Sequence, residues 1–461
     1  MKRRHIMNVI RRKEVMGLVI GLIISLVLFS WGGAFAQKPF AGETITVAVH
    51  AVPHATGVYM FKDRFEKETG IKINVIEMAP EAIYEKEMTE FTAGSGAYDV
   101  IQFNPAWIAD YSYHLEPLQA LANKYNLDFK LDDVMPIFRE LYCSWAGVWY
   151  GMPWDGDTHM LYYRKDQFEK YGLTPPKTWD DYKKIASFFN GWDWDNDGQE
   201  EYGVAAYLKR GRTYWWFLGR FAGYGGNYFD ENMNPLINTK AGVDALENLL
   251  TTIPYMPPGV LNYSYMELRT AYVKGDIAMC FQWTCVGKAA ENPKESKIVG
   301  KTGYAVFPQG KTMIAGGWDL GIPKYSRHKG AAAQFIHFIT RPDISLKIVM
   351  DPTTSLDPYR VSHYKSPEFR AAWPTAGEYL DAIEANLRQG FPDLLIPGAA
   401  EYMDALDYQL TLAYAGQKSA QDALNDAAKE WRQITKRLGF EEQKKAWLAQ
   451  LKAMRAMGVV K

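Results

Sequence analysis

Cysteine is nearly absent from this chain, with three residues in 461: Cys143, Cys280 and Cys285. Cys280 and Cys285 are close enough in sequence to pair or to stand as buried thiols, and their spacing lacks the CxxC form of redox sites. Histidine is sparse too, with eight residues scattered along the chain. HExxH, GxSxG after a strand and GxGxxG are missing, which leaves the common hydrolase, zinc-protease and dinucleotide signatures without support. Gln309-Gly310-Lys311-Thr312 imitates the end of a phosphate-binding loop, but Ala305 stands where its first glycine belongs. Internal repeats and low-complexity linkers are lacking. So is any excess of basic charge, the formal net charge being −1, and nucleic acid is not an expected partner.

Charge is instead concentrated at the start. Lys2, Arg3, Arg4, Arg11, Arg12 and Lys13 precede an uncharged stretch from Val15 to Ala36 that ends Ala34-Phe35-Ala36. A basic head, an apolar middle and an A-x-A site read as a cleaved secretory signal over residues 1–36. The competing reading is a retained anchor, since an uncharged stretch of this length can span a bilayer. The residues around Arg11-Arg12 match twin-arginine export poorly. No cysteine follows the apolar middle, so a lipoprotein anchor is not expected. The expected location is the periplasm. Without residues 1–36 the formal charge becomes −6, because six basic residues and Glu14 leave together. The remaining chain of about 425 residues exceeds the ~250–300 at which one core stops growing, so two lobes are expected.

The local grammar is α/β. Thr44 to Val49 alternates as a strand, Tyr59 to Thr69 reads as a helix closed by Gly70, and Ile71 to Ile76 returns to strand. Met160 to Tyr163 suits a strand and Asp166 to Tyr171 a helix capped by Gly172. Pro175 and Pro176 then break the chain, and Thr178 is placed to cap a new helix. Ligands of such sheets sit beyond the carboxyl ends of the strands. That rule points to His50 to His54, to Glu77 to Pro80, and to the segment after Ile101.

Several stretches together carry a family resemblance: GMPWDGDTHMLYYRKDQFEKYGLTPPKTW at 151–179, then TGIKINVIE, GSGAYDVIQF, GDIAMCFQW, GYAVFPQG, GGWDLGIP and AYAGQKSAQDALNDAAKEWRQI. Their types and order resemble the family 1 extracellular solute-binding proteins, the maltose-binding-protein-like receptors that feed sugar-class ABC importers. The resemblance implies a two-lobed periplasmic-binding-protein fold of type II, each lobe a mostly parallel sheet flanked by helices. It places lobe 1 at 43–157 plus 305–352 and lobe 2 at 158–304 plus 353–461, with crossings near Asp157 to Leu161, Tyr304 to Pro308 and Asp351 to Ser355. It also implies a monomer that works with ABC permease subunits and binds without turnover.

The 15 tryptophans and 29 tyrosines fit a carbohydrate solute, whose C–H faces need flat aromatic platforms and whose hydroxyls need polar partners. Candidate platforms are Trp107, Trp154, Trp215, Trp216, Trp283 and Trp318. Trp283 and Trp318 stand where the family segments face the cleft, whereas Trp215 and Trp216 are adjacent, so at most one of them reaches the solute. Asp157 and Asp319 are candidate hydroxyl acceptors and Arg360 a candidate donor fork, with His54 and Asn104 following predicted strands. The resemblance adds Tyr402. A glycoside hydrolase remains the enzyme alternative, with Asp157 and Asp319 as its carboxylates, and a membrane-tethered sensor the non-transport one. No cofactor for chemistry is expected. Asp193, Asp195 and Asp197 with Gly198 space oxygen ligands as Ca²⁺ loops do. Val204 stands where an EF-hand needs its closing glutamate, so Glu201 would close a shorter loop and Gln199 would give its backbone carbonyl.

Overall fold

The computed structural model describes residues 38–51, 53–79, 82–314 and 316–460. The proposed signal or anchor lies outside them. Among the described residues no helix is long and apolar enough to cross a membrane.

Two sheets organise the chain. The first runs in the order Lys72–Met78, Thr44–His50, Val100–Phe103, Trp318–Gly321, Met152–Asp155. The second runs Thr302–Ala305, His159–Arg164, Ile277–Trp283, Tyr202–Ala205. The opening unit matches its expectation closely. Thr44–His50 pairs in parallel with Lys72–Met78, and the helix between them, His54–Thr69, starts earlier than its pattern suggested. It ends at Gly70, whose φ of 78° lets its N–H return to the carbonyl of Glu66. Thr178 caps the helix Trp179–Phe188 in a reciprocal box: its hydroxyl accepts from the Asp181 N–H at 3.1 Å and the Asp181 carboxylate accepts from the Thr178 N–H at 3.2 Å.

The α/β two-lobed class stands, but the sheets are mixed, not mostly parallel. Trp318–Gly321 runs antiparallel to both its neighbours, and His159–Arg164 runs antiparallel to Thr302–Ala305 and to Ile277–Trp283. The cause is connectivity, since a strand that re-enters a sheet from the other lobe arrives from the end opposite to a βαβ crossover. The expected return at Tyr304 also falls too early. Ala305 still pairs with Leu161 in the second sheet, and the chain rejoins the first sheet only at Trp318. Beyond the expected third passage at Asp351 to Ser355, the chain stays in contact with both sides. Arg360 still packs beneath the first sheet's helices, bonded to Phe129, Lys130 and Thr340, while Tyr379, in the helix Ala376–Arg388, already bonds the Thr284 carbonyl. All three cysteines are buried and free.

Candidate functional site

A cavity of about 280 Å³ opens where the two sheets face each other. One wall comes from the carboxyl ends of first-sheet strands: His50, Pro53 and His54 after Thr44–His50, and Asn104 after Val100–Phe103. Trp318 joins them at the point of re-entry. The opposite wall is Tyr207, Arg212 and Trp215, with Trp283 at the end of its strand. Asp157, Gly317 and Ser355, on the connecting segments, close the hinge side. Two of the strand ends that the rule points to thus line this cavity, whereas Glu77 does not.

The aromatic rings are fixed edge to face. Trp215 and Trp283 meet at 4.8 Å and 85°, and Trp318 meets His50 at 5.3 Å and His54 at 6.0 Å. Arg212 links the walls, its guanidinium 5.5 Å from the Trp215 ring and 6.0 Å from Trp318. Trp215 is oriented by an indole N–H donated to Asp393 at 2.9 Å. Burial holds the Asp393 carboxyl at about 7, the indole bond pulling the other way. A carboxyl raised in the folded state contributes stability that is complete below its unfolded value near 4 and is lost as pH rises through about 7. Relative to Asp393→Asn, the wild type should therefore gain melting temperature as pH falls from 7 towards 4. Parallel melting curves for the two proteins would refute that origin.

His54 has a defined tautomer. The Gln102 carbonyl accepts from the His50 N–H at 3.1 Å, so its amide nitrogen donates to His54 Nδ1 at 2.8 Å. Burial, then neighbouring His50, holds the imidazole well below its usual range. His54 is thus neutral and carries its proton on Nε2, a donor suited to a hydroxyl. Asp157 accepts from the Thr284 hydroxyl at 3.0 Å and its N–H at 3.3 Å. Burial, then Asp155 and Asp357, pushes its carboxyl well above the usual range. A proton held there lets it donate as well as accept. The Asn104 carbonyl caps the short turn Pro105–Trp107 by accepting from Ala106 at 2.9 Å, which leaves its amide as donor.

The cavity gathers His54, Asn104, Asp157, Trp215, Trp283 and Trp318 from the sequence candidates. Six others lie elsewhere. Trp216 faces the core, donating to the Phe281 carbonyl, because adjacent helical residues diverge. Trp154 packs behind its strand against Gly57, where a Cβ would come within 3.0 Å of the ring. Trp107 supports Trp318 edge-on at 6.1 Å from outside the lining. Asp319 is fully buried on the reverse face of its strand, beside Gly151, since successive strand residues point to opposite sides. Arg360 is fully buried, donating to the carbonyls of Phe129, Lys130 and Thr340. Tyr402 bonds Thr435 and Gln443 among the late helices. The carboxylate pair of the hydrolase reading is therefore not assembled, as Asp319 is separated from Asp157's cavity by its own strand.

The acidic loop forms as a tight knot. Asp193 accepts from the N–H groups of Asp197 and Gly198, both at 3.0 Å, and Gly198 takes a φ of 90°. Ligand oxygens of Asp193, Asp195, Asp197 and Glu201 lie within 4.8 Å of one another. Glu201 is buried, with one oxygen accepting from Trp194 at 3.0 Å and the other unpartnered. Burial, then the three aspartates, raises its carboxyl to about 7 against that Trp194 bond.

The comparisons with known proteins agree with this architecture. A probable amino-acid ABC transporter periplasmic-binding protein of Sinorhizobium fredii is 26% identical over 88% of this chain and 94% of its own. The mannitol-binding protein of Pseudomonas aeruginosa is 24% identical over 86% of this chain and 94% of its own. An ABC transporter solute-binding protein from Agrobacterium vitis, solved with bound D-mannitol, superposes with a TM-score of 0.74 at 26% identity, covering 86% of this chain and 99% of its own. The profile of the family described as bacterial extracellular solute-binding protein matches residues 52–344. This chain belongs to the bacterial extracellular solute-binding protein family.

Proposed function

We propose that this chain is the solute receptor of an ABC importer, holding a sugar or polyol between its lobes and handing it to the membrane permease subunits without turning it over. The observation that carries this reading is the meeting of Trp215 and Trp283 from one wall with Trp318 from the other in one cavity. Flat rings suit C–H faces, while His54, Asn104 and Asp157 offer hydroxyl partners around them. The reading includes a cleaved signal at residues 1–36, a periplasmic location without a lipid anchor, and a monomer. A thermal-shift screen against sugars, polyols and amino acids tests it. A rise confined to carbohydrates, with no product formed, is the expected result.

An amino-acid solute is the second reading, favoured by the presence of both Arg212 and Asp157 in the lining. It is the weaker one, because an acid pushed towards its neutral form is a poor counter-ion for an ammonium group.

The knot at Asp193 is read as a structural Ca²⁺ site. Its unpartnered, buried Glu201 oxygen and the free oxygen of Asp195 face the other carboxylates, which is costly unless a cation sits among them. Chelator should lower the melting temperature, a site filled at 100 times its Kd contributing about 2.7 kcal/mol. The effect should be larger at pH 8 than at pH 6, since the cation displaces a proton held to about 7 on Glu201. An unchanged melting temperature at both pH values would leave an acidic turn without metal.

A further inference from the structure

We infer, building on the receptor reading above, that Lys288 is a clasp at the hinge: its ammonium, carried by the second lobe, is gripped by backbone carbonyls of the first lobe and of a connecting segment, and so sets how readily the cleft closes. The helix Cys285–Ala290 follows directly on the strand that carries Trp283. Its Gly287 N–H donates to the Tyr162 hydroxyl at 3.1 Å, and a Cβ at Gly287 would come within 2.5 Å of the Tyr379 ring, so this helix is fixed to the second sheet. Lys288 leaves it only 1% exposed and donates to the carbonyls of Leu356 at 2.7 Å, Val349 at 2.9 Å and Asp351 at 3.3 Å. An ammonium has three protons to donate, so these carbonyls occupy all of them. The Asp351 carbonyl also accepts from the Thr354 N–H at 3.3 Å.

The acceptors belong to the other side. Val349 lies in the helix Pro342–Met350, and a Cβ on Gly57, in the first-sheet helix His54–Thr69, would meet Ile348 at 3.0 Å and Leu356 at 2.9 Å. Both ends of the clasp adjoin the cavity, since Cys285 lines it one turn before Lys288 and Ser355 lines it immediately before Leu356. The connecting segments are themselves bonded: the Asp155 carboxylate accepts from the Asp357 N–H at 2.6 Å, and the Asp357 carbonyl accepts from the Gly156 N–H at 3.2 Å. Burial lowers the Lys288 ammonium from its usual range, the Asp357 carboxyl pulling the other way. The clasp is closed in the same structure in which Arg212 stands 5.5 Å from the Trp215 ring and 6.0 Å from Trp318. Swinging the lobes apart about the hinge would draw the carbonyls away from the ammonium.

Distances between spin labels test this in the ligand-free protein. Labels go on Met60→Cys in the first lobe and Leu261→Cys in the second, both exposed positions, the three native cysteines being buried. Lys288→Met keeps an apolar stem and removes the donors. It should raise the ratio of separated to approached lobes at least about tenfold over the labelled parent, the effect of one hydrogen bond to a charged group. Should that variant not fold, Lys288→Gln, shorter and uncharged, should show the same shift. Distance distributions identical to the parent's, with only the melting temperature lowered, would overturn the clasp and leave Lys288 a core residue. The comparison uses no solute. Sugars and polyols that leave the parent's distances unmoved would count against the receptor reading, whereas the Lys288 shift would still uphold the clasp.

Discussion

Trp318→Ala is expected to weaken solute binding by about 2–4 kcal/mol, the range of an aromatic anchor at the centre of a contact surface. That is a loss of roughly 30- to 1,000-fold. Trp318 is only 6% exposed, and its surroundings hold the ring in one place: His50 and His54 edge-on, Trp107 behind it, and Arg212 at 6.0 Å from the opposite wall. A ring so fixed loses little freedom on binding, so most of its contact energy reaches the affinity. Its removal also cuts the Arg212 link between the walls. Trp216→Ala is the comparison, since Trp216 sits one residue from Trp215 but points into the core. That variant should lose about 3–5 kcal/mol of stability with little direct effect on affinity. Calorimetry on Trp318→Ala giving an unchanged Kd would remove this ring from the site.

Arg360→Ala should lower stability by about 3–5 kcal/mol while leaving the solute affinity of the folded fraction intact. The guanidinium is fully buried and donates to the carbonyls of Thr340, Lys130 and Phe129, with Asp133 at 3.7 Å. These carbonyls belong to two separate parts of the chain, 129–130 and 340, near the first sheet. The Thr340 and Phe129 carbonyls would lose a buried donor at about 1–3 kcal/mol each, whereas the Lys130 carbonyl keeps the Asp133 N–H at 3.0 Å. Arg360→Lys should recover little, because an ammonium cannot reproduce a planar fork aimed at several acceptors. Chemical denaturation of both variants measures the loss, and a midpoint close to that of the wild type would contradict the structural role. A fall in affinity without a fall in stability would return Arg360 to the solute.

Where local rules control the outcome, the sequence was legible. Alternation in Thr44–His50, the left-handed stop at Gly70 and the Thr178 cap each depend on residues a few positions apart. His50 and His54 were reachable through the strand-end rule for the same reason. Tyr207 and Arg212 were missed because the strand that precedes them, Tyr202–Ala205, is short and follows the acidic loop without a clear pattern. The Ser264-to-Glu267 capping box was readable from its spacing, yet nothing local says that Tyr265 turns towards Cys285, a contact made between two helix starts. Asp319 shows the limit most clearly. It neighbours Trp318 in sequence, and the two-residue period of a strand puts it on the opposite face. Arg360 failed differently, since its acceptors lie up to 231 positions away and only the assembled fold brings them together. The expected return near Tyr304 slipped because strand pairing, not composition, decides where a chain leaves a sheet.

The most direct test of the central claim is a crystal structure of the protein grown with the carbohydrate that gives the largest thermal shift. Solute density packed between Trp283 and Trp318, within reach of His54 Nε2 and Asp157, is the predicted result. Density elsewhere on the molecule, with the cavity filled only by water, would contradict it.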